Sequence, residues 1–505
     1  MSDNLYALFQ ERFHEHLSRP FIETEQGEVF KYQDVERESA RLARLLASLG
    51  VKKGDRVAVQ VDKTPQALFL YLACLRAGFI YLPLNTGYQP AELEYFLSDA
   101  QPSAVVVRPE GAETMRGLAA KQDVAHVETL DASGGGSLMD NAREVEAEFD
   151  TVEVSGDELA AILYTSGTTG RPKGAMITHR NLASNALALH EYWGWREGDV
   201  LLHALPIFHV HGLFVACHCA LLNVSTMLFL RRFEARKVIE RLPRATVMMG
   251  VPTFYTRLLA EPDFDKTVCA NMRLFISGSA PLLEQTFHEF RERTGHTILE
   301  RYGMTETGMN CSNPLDGERV AGTVGFPLPG VEVRVVDDED KAVATGEPGN
   351  LQVRGDNVFA GYWCMPDKTA EEFTEDGFFR TGDIAAIDKH GYVSIVGRAK
   401  DMVISGGYNV YPKEIELEID ALDGVAESAV IGLPHPDYGE AVAAVVVPAG
   451  KPAPTEEQII DALHGKLAGY KIPKRVFVQD DLPRNAMGKV QKNALRERYD
   501  DTFKA

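Results

Sequence analysis

The sequence predicts an α/β fold. We expect a large N-terminal domain of packed α/β subdomains with a small β-barrel-like portion, and a small mobile α+β domain at the C-terminus. In the first part of the chain, short apolar runs typical of buried strands alternate with helix-like segments. After about residue 320, apolar and polar residues alternate, as in half-exposed antiparallel strands. The last segment, of about a hundred residues, is long enough for a separate domain.

The first part of the chain supplies the parallel-sheet pattern. Strand-like runs occupy residues 56–61, 104–107, 227–230 and 246–249, and helix-like segments occupy residues 64–76, 90–100 and 181–193. Because parallel strands need crossover connections, this alternation favours largely parallel sheets. A glycine-rich run at residues 133–137 precedes acidic residues 140–150, and we expect a surface loop there.

The second part of the chain has a different pattern. Residues 331–337 and 351–354 alternate with a period of two over most of their length. The last segment contains a helix-like stretch at residues 412–421, an apolar strand at 441–447 and a basic finish at 466–492. The candidate boundary lies at residues 397–401, so we expect one domain at residues 1–399 and a second at 400–505.

Composition excludes several classes of protein. The 505 residues include 73 acidic and 52 basic side chains, and the formal net charge of −21 argues against duplex DNA as the main partner. The six cysteines are dispersed, which favours reduced thiols over a disulfide scaffold. The N-terminus carries no signal-like apolar segment, and histidines and Pro206 interrupt the uncharged residues 200–230. We therefore expect a cytoplasmic protein without a membrane span.

The most distinctive segment is residues 164–174, Tyr-Thr-Ser-Gly-Thr-Thr-Gly-Arg-Pro-Lys-Gly, which follows a strand-like run. Its three glycines, four hydroxyl side chains and one lysine suit a loop whose backbone N–H groups cradle phosphate oxygens. The spacing is not that of a Walker A loop. The alternative is a polar surface turn, although a run of this length is more specific than a short Gly-Thr patch.

Further motifs follow this segment in order. They are PIFHVHG (206–212), SGSAP (277–281), YGMTE (302–306), TGD (381–383), GRAKD (397–401), GGYNVYP (406–412) and PRNAMGK (483–489). Together they resemble the adenylate-forming superfamily, which includes acyl-CoA synthetases, peptide-synthetase adenylation domains and beetle luciferases. The resemblance covers about residue 159 to residue 489.

The resemblance implies that a carboxylate attacks the α-phosphate of ATP and that pyrophosphate leaves. A carboxylate is already a nucleophile at neutral pH, so the protein has to position anions and stabilise charge, with Mg²⁺ as the metal. Tyr302 is implied to stack on adenine and Asp383 to accept from the ribose hydroxyls. The implied catalytic residues are Lys489, Thr305, Glu306, which is also the metal ligand, and His209. The implied ATP-binding residues are Thr165, Ser166, Gly167, Thr168, Thr169, Gly170, Lys173, Ser279, Ala280, Tyr302, Gly303, Asp383 and Arg398.

The family's C-terminal domain turns between two half-reactions, and Lys400 matches its hinge position. Gly406, Gly407 and Tyr408 are implied to border the passage of the coenzyme A thiol arm. Lys471 could contact coenzyme A phosphates or belong to a solvated basic face. Free coenzyme A is the expected acceptor, since no carrier domain is recognisable before Ala505. The family's catalytic lysine is also an acetylation target, so a lysine acetyltransferase and deacetylase could act on Lys489.

Arg301, directly before Tyr302, is the clue to the acid. In many relatives with monoanionic acyl substrates this position is small or uncharged, and the family places the segment along the acyl pocket. A guanidinium there could pair with a second carboxylate, whereas burying an unpaired arginine would be costly. The alternative is that Arg301 pairs with an internal acid or points to water.

The sequence around these motifs is most similar to that of malonyl-CoA synthetases. This resemblance implies that Arg301 and His209 bind the distal carboxylate of malonate. Val210, Met309 and Arg257 complete the predicted acyl site, and Val210 replaces a threonine, so methylmalonate is a plausible second substrate. Three alternatives stay open: a synthetase for a short-chain or aryl monocarboxylic acid, an oxygenase of the luciferase kind, and a catalytically silent sensor of nucleotide or acyl-CoA.

Overall fold

The computed structural model describes residues 3–165, 172–405, 408–435, 438–464, 466–467, 469–485 and 488–503, with the backbone alone at residues 408 and 409. Within these ranges, no helix combines the length and the apolar character that crossing a bilayer requires. The uncharged residues 200–230 instead form buried strands and helices.

Strands and helices alternate through most of the chain. Within the described residues, the strands in chain order are β1 Pro20–Thr24, β2 Val29–Lys31, β3 Arg56–Gln60, β4 Ile80–Pro83, β5 Ala104–Val107, β6 His126–Thr129, β7 Leu159–Thr165, β8 Lys173–Thr178, β9 Val200–His203, β10 Thr226–Phe229, β11 Val247–Gly250, β12 Leu274–Ser277, β13 Leu299–Met304, β14 Gly308–Ser312, β15 Phe326–Pro327, β16 Val331–Val336, β17 Gly349–Gly355, β18 Gly361–Tyr362, β19 Phe379–Ile387, β20 Val393–Arg398, β21 Val403–Ser405, β22 Tyr408–Val410, β23 Val425–His435, β24 Gly439–Pro448 and β25 Arg475–Val478.

The helices of the same ranges are α1 Leu5–Phe13, α2 Tyr32–Ser48, α3 Pro65–Ala77, α4 Pro90–Ala100, α5 Ala112–Lys121, α6 Ser137–Arg143, α7 His179–Tyr192, α8 His218–Leu222, α9 Ala235–Arg241, α10 Pro252–Leu259, α11 Glu284–Thr294, α12 Pro366–Glu372, α13 Pro412–Asp420, α14 Glu456–Leu463 and α15 Lys492–Tyr499. A π-helix, His211–Cys217, directly precedes α8. A short 3-10 helix, Ala399–Asp401, follows β20.

Local signals in the sequence set the ends of several helices. α3 begins where the Thr64 hydroxyl accepts from the backbone N–H of Ala67 and Pro65 takes the first helical position. It ends at Gly78, whose φ of 67° is easy only for glycine. The prediction of a loop through residues 137–143 is wrong, because α6 forms there and buries Leu138 among other side chains.

Two large sheets form the N-terminal part. In one, the strands lie in the order β18-β8-β7-β4-β3-β5-β6, and β7, β4, β3, β5 and β6 pair in parallel. In the other, the order is β15-β14-β13-β12-β11-β9-β10-β1-β2, with parallel pairs from β13 to β1. One apolar core includes side chains of both sheets and of the helices between them. The expected parallel α/β architecture is confirmed.

Four strands between residues 331 and 398 form a separate antiparallel sheet with the order β16-β17-β19-β20. Its apolar face packs Val335, Leu351, Val353, Ala385 and Val393 together. Among the described residues no pairing joins β20 to β16, so the portion expected to be barrel-like is an open sheet.

The C-terminal part has its own sheet and its own apolar cores. Its strands lie in the order β22-β21-β24-β23, with β25 parallel to β24. Helices α13 and α14 contribute to one core, and α15 contributes Leu495 to the other. Both cores are made of residues from Val403 onward, which is what a separately folded unit requires.

Candidate active site

Neighbouring parallel strands end together at one edge of the larger sheet. His203, Gly250, Ser277 and Met304 are the last residues of β9, β11, β12 and β13. Ligand sites of parallel sheets lie beyond the carboxyl ends of the strands. Most of the site residues predicted between 209 and 306 lie at or just beyond these ends, so the topology collects them at one edge.

Tyr302, Asp383 and Arg398 form one polar cluster. The Tyr302 hydroxyl donates to Asp383 Oδ2 at 2.5 Å, and Arg398 Nε lies 2.6 Å from Asp383 Oδ1. Asp383 is buried, and its backbone N–H donates to the hydroxyl of Thr381 at 3.0 Å. Each carboxylate oxygen can accept more than one hydrogen bond. Ribose hydroxyls would therefore join this cluster rather than meet a free carboxylate.

The loop after β12 carries the predicted adenine-binding residues Ser279 and Ala280. Ser279 has a φ of 72°, in the left-handed region that a residue with a side chain rarely adopts. Its Oγ lies 3.2 Å from Nδ1 of His211. Further along the loop, the backbone N–H of Leu282 donates to Oε1 of the buried Glu300 at 3.0 Å. Two side-chain contacts therefore fix a strained loop.

Glu306 lies in the turn between β13 and β14 and is buried. Its Oε1 accepts from the hydroxyls of Tyr362 at 3.2 Å and Thr165 at 3.3 Å. Burial raises the pKa of this carboxyl. A buried carboxylate whose recorded partners are two neutral hydroxyls fits a divalent cation, and Mg²⁺ prefers one or two carboxylates together with phosphate oxygens.

Lys173 lies beside the same corner. Its Nζ is 4.1 Å from the ring centroid of Tyr362 and 3.7 Å from Oε1 of Glu372. The other phosphate-loop residues of the sequence prediction, 166–170, lie outside the described residues. Thr165 and Lys173, which pair across β7 and β8, are the two described ends of that loop.

Lys489 of the C-terminal part faces the polar cluster around Asp383. Burial, and then the nearby Arg398, lower its pKa to about 8, while Asp383 opposes the shift. Gly488 lies against α10, since a Cβ on it would stand 3.1 Å from Oγ1 of Thr253. The pKa of Lys400 is lowered too, first by burial, with Arg398 contributing. The C-terminal part therefore packs against α10, and Lys489, which is exposed, lies near Arg398 and Asp383.

Arg301 is 3% exposed, and its Nε and Nη2 are buried without a hydrogen-bond partner among the described residues. Burial lowers its pKa to about 9. The adjacent Glu300 does not neutralise it, because burial raises the pKa of that carboxyl to about 8. Tyr255 does not compensate it either: burial raises the pKa of this phenol, so the side chain is neutral, and its hydroxyl donates to the carbonyl of Ile276. The guanidinium is thus buried, with two donor atoms that have no partner among the described residues.

His209 borders the same pocket. Burial, and then Arg301, lower its pKa to about 4, so the imidazole is neutral at physiological pH. The backbone N–H of His211 donates to His209 Nδ1 at 3.2 Å, which leaves the proton on Nε2. His209 can therefore offer an N–H to a ligand anion that is bound beside Arg301.

Val210 and Met309 are buried near Thr305. Val210 and Thr305 line a small cavity of about 20 Å³ with Asn185 and Gly308. The Asn185 amide donates to the carbonyl of Met309 at 2.8 Å and accepts from its N–H at 3.0 Å. Met309 also packs on Gly303, where a Cβ would lie 2.5 Å from the Met309 Cε. These contacts fix the apolar wall of the site.

Other predicted residues are not part of this cluster. Arg257 is exposed in the last turn of α10. Lys471 pairs with Glu414 at 2.5 Å. Gly406 and Gly407 lie outside the described residues, and only the backbone of Tyr408 is described, in β22. The structure therefore leaves the coenzyme A residues and Arg257 as predictions from the sequence.

Sequence reasoning missed several residues that hold the site together. Tyr362 reaches Glu306 from β18, Asn185 fixes Met309 from α7, and Thr253 meets Gly488 from α10. Each is far along the chain from the residue it contacts, and none stands in a motif with a spacing of its own. One signal was available for Asn185, which is a polar residue among the apolar positions of an amphipathic helix.

Comparison with known proteins decides the family. A family profile described as "AMP-binding enzyme" matches residues 9–363, and one described as "AMP-binding enzyme C-terminal domain" matches residues 414–489. The chain belongs to the AMP-binding enzyme family. Its relatives include a malonate–CoA ligase of Arabidopsis thaliana, 37% identical over 89% of this chain and 78% of that protein. A mitochondrial malonate–CoA ligase of Mus musculus is 38% identical over 92% of this chain and 86% of that protein.

A solved structure of ATP-bound MatB from Rhodopseudomonas palustris is 53% identical, with 100% of both chains covered and a TM-score of 0.98. Apo MatB from the same organism superposes with a TM-score of 0.87. This family member is therefore arranged more like the ATP-bound relative than the apo one.

Proposed function

We propose that the protein ligates malonate to coenzyme A through a malonyl-adenylate, with malonyl-CoA, AMP and pyrophosphate as products. The observation that carries this proposal is the buried Arg301 guanidinium, whose Nε and Nη2 have no partner among the described residues. The malonate–CoA ligases of Arabidopsis thaliana and Mus musculus and the ATP-bound MatB structure support the same substrate and the same AMP-forming class.

An unpaired guanidinium selects for an anion in its pocket. Burying a charged group costs several kcal/mol unless a partner compensates it (about 3–5 kcal/mol when one partner of a buried pair is missing). A carboxylate can take two parallel N–H bonds from one guanidinium. The adenylation step consumes one carboxylate of the substrate, so a second carboxylate is what remains for Arg301. A monocarboxylic acid would leave Arg301 uncompensated.

The size of the acid follows from the walls of the pocket. His209 would donate Nε2–H to the same distal carboxylate, and Met309 and Val210 would close the apolar side. The proposal includes methylmalonate as a second substrate, since Val210 borders the 20 Å³ cavity. Discrimination by one methyl group is worth only about 1–3 kcal/mol, so strict exclusion is not expected.

The adenylation step needs positive charge more than it needs a base. Lys489 would bridge the attacking carboxylate and the α-phosphate, and Thr305 would donate to that phosphate. Glu306 would hold Mg²⁺, which supplies charge neutralisation on the leaving phosphates. Tyr302 and Asp383 would orient the nucleoside. The chain's own contribution is therefore to place two anions in line and to exclude water from between them.

Transfer to coenzyme A would use the other arrangement of the C-terminal domain. We place the domain boundary between residues 399 and 400, with Lys400 as the hinge. Gly406, Gly407 and Tyr408 would then border the thiol arm. Lys471 would first have to break its ion pair with Glu414 before it could contact a coenzyme A phosphate. That ion pair is partly exposed and contributes about 1 kcal/mol or less.

Two further parts of the proposal concern the setting of the enzyme. Acetylation of Lys489 by a lysine acetyltransferase would remove its charge and stop adenylation, and a deacetylase would restore it. Comparing AMP formation by acetylated and unmodified protein tests this, and equal rates would contradict it. We place the protein in the cytoplasm, and fractionation of cells that produce it checks that location.

The decisive test is coenzyme A-dependent AMP formation with malonate, methylmalonate, acetate, butyrate and benzoate, for wild type and Arg301→Met. Methionine removes the charge and the hydrogen-bond donors and keeps an unbranched, shorter apolar side chain. Wild type should prefer malonate, and Arg301→Met should lose that preference, with kcat/KM for malonate falling about 100-fold. Arg291→Met, at an exposed arginine of α11, is the control and should change little.

Two outcomes would contradict the proposal. Preference of wild type for a monocarboxylic acid would remove malonate as the substrate while leaving the adenylation chemistry in place. An Arg301→Met variant that keeps its malonate preference would show that Arg301 has a structural role only. The affinity for ATP, measured in the same variant, separates loss of the acyl site from general damage.

A further inference from the structure

Lys63, in the loop between β3 and α3, is buried, and the reaction proposed above does not use it. Its Nζ lies 2.7 Å from Nδ1 of His203, 2.9 Å from the His203 carbonyl oxygen and 4.2 Å from the ring centroid of Phe229. All three of these partners are neutral. Burial lowers the pKa of Lys63 to about 7, so its amine is only partly charged at neutral pH. A buried amine without a paired carboxylate still costs stability, so its presence needs an explanation beyond folding.

His203 links this lysine to the acyl pocket. Its Nδ1 accepts from Lys63, and its Nε2 lies 2.8 Å from the carbonyl oxygen of Gly212. Burial, and then Lys63, hold the pKa of His203 well below its usual range, so the imidazole is neutral. The two contacts fix one tautomer, in which Nε2–H donates to Gly212.

Gly212 is the second residue of the π-helix His211–Cys217. A Cβ on it would overlap the carbonyl oxygen of Pro206, so the backbone there is tightly packed. Turns of π-helix are often found at functional sites. His209 and His211, three positions and one position earlier, both have pKa values lowered by burial and then by Arg301. The Gly212 carbonyl therefore belongs to the same short stretch of backbone as both imidazoles.

We propose that Lys63 and His203 are positioning residues, which hold the Gly212 carbonyl and through it keep His209 and His211 in place against Arg301. The proposal rests on the function proposed above, because it concerns the acyl site of that reaction. It deepens that function by tracing acyl-acid recognition to two residues that do not touch the substrate.

Lys63→Met tests the proposal, since methionine keeps the length and removes the charge. KM for malonate should rise about ten-fold or more, because displacement of a binding group by about 1 Å can cost about 100-fold. KM for ATP should change less than about two-fold, and the preference for malonate over butyrate should shrink. The unfolding midpoint in urea should not fall, because a buried charge is replaced by an apolar side chain.

Two variants of His203 give a second measurement. His203→Gln can still donate to Gly212 and accept from Lys63, so its KM for malonate should stay within about three-fold of wild type. His203→Leu removes the contacts with Lys63 and with the Gly212 carbonyl. Its ratio of the KM for malonate to the KM for ATP should therefore resemble that of Lys63→Met. Failure of the glutamine to rescue relative to the leucine would contradict the hydrogen-bonded path.

Tyr71→Phe is the matched control. It removes a 2.7 Å hydrogen bond between Tyr71 and His218 in the same core, and leaves the hydrogen bonds of His203 and of the Gly212 carbonyl in place. Its KM for malonate should be unchanged. An unchanged malonate KM in Lys63→Met, or equal losses for malonate and ATP, would overturn the proposal. If wild type prefers another acid, the proposed function fails instead, and the same comparison with that acid still tests the positioning.

Discussion

Gly278→Ala should damage the acyl site without removing any of its charges. Gly278 directly follows β12, and a Cβ on it would overlap the guanidinium carbon of Arg301. The same Cβ would stand 2.6 Å from Arg301 Nε and 2.7 Å from Nη1. Ordinary contact needs about 3.5 Å, so the guanidinium has to retreat by about 1 Å. The φ of Gly278 is not in the left-handed region, so alanine meets no backbone strain of its own.

Two estimates of the effect agree. Misplacing a binding group by about 1 Å can cost about 100-fold in rate. Weakening one charge-assisted hydrogen bond costs about 1.5–3 kcal/mol, which is about 10- to 150-fold in kcat/KM. We expect Gly278→Ala to lower kcat/KM for malonate by about 10- to 100-fold, with a loss of about 1–3 kcal/mol in the free energy of unfolding from overpacking.

The assay is AMP release at limiting malonate, with saturating ATP and coenzyme A, for Gly278→Ala, Arg301→Met and the double variant. Since both single changes act on one guanidinium, the alanine should cost less than about two-fold in the Arg301→Met background. Gly117→Ala is the control, because Gly117 lies inside α5 with open space around its Cβ position. An undiminished kcat/KM in Gly278→Ala, or additive losses in the double variant, would refute the reasoning.

Three further predictions concern the ATP half of the site. Glu306→Gln should lower malonate-dependent exchange of pyrophosphate into ATP by about 100-fold or more at saturating Mg²⁺, and a loss below about ten-fold would exclude Glu306 as the metal ligand. Lys489→Met should lose adenylate formation but still transfer the acyl group from supplied malonyl-adenylate to coenzyme A, whereas equal losses in both half-reactions would contradict its role. In the closed form the pKa of Lys489 is lowered to about 8, and an open, solvated lysine titrates near about 10.4. The closed form therefore binds fewer protons between these two values, and closure without nucleotide should become more favourable as pH rises through them. Energy transfer between labels on the two domains should increase from about pH 7 to about pH 9.5 in wild type but not in Lys489→Met, and a flat response in wild type would count against it.

The sequence predicted the parts of this enzyme that local pattern controls. The strand at residues 104–107 and the helix at residues 90–100 are found within those bounds, because apolar runs and a proline at the helix start are local signals. The segment misread as a loop includes α6, whose three buried apolar side chains belong to the large core of the N-terminal part. Tertiary contact, rather than local propensity, decides such a short helix.

The candidate site divides in the same way. Glu306 and Asp383 were predicted from motifs as the metal ligand and the ribose contact. The structure shows both carboxylates buried, and the two roles stay predictions. The state of Arg301 was open in the sequence, because the adjacent Glu300 offered an obvious partner. Only the fold shows that Glu300 accepts a hydrogen bond from the backbone N–H of Leu282 instead. Burial also favours the neutral form of the Glu300 carboxyl. Long-range pairings of this kind leave no trace in the spacing of residues along the chain.

The candidate site carries several positive side chains, although the chain as a whole is negatively charged. The protein carries a formal net charge of −21, yet Arg301, Arg398, Lys400 and Lys489 converge where the anionic substrates would bind. The general surface charge is screened beyond about 8 Å at physiological salt, so these local cations decide binding. Arg398 and Lys400 both lower the pKa of Lys489, which means that the closed form holds mutually repelling cations. A bound triphosphate would offset that repulsion and favour closure, and departure of pyrophosphate would restore the repulsion. Substrate binding and movement of the C-terminal part would then be two results of one electrostatic arrangement.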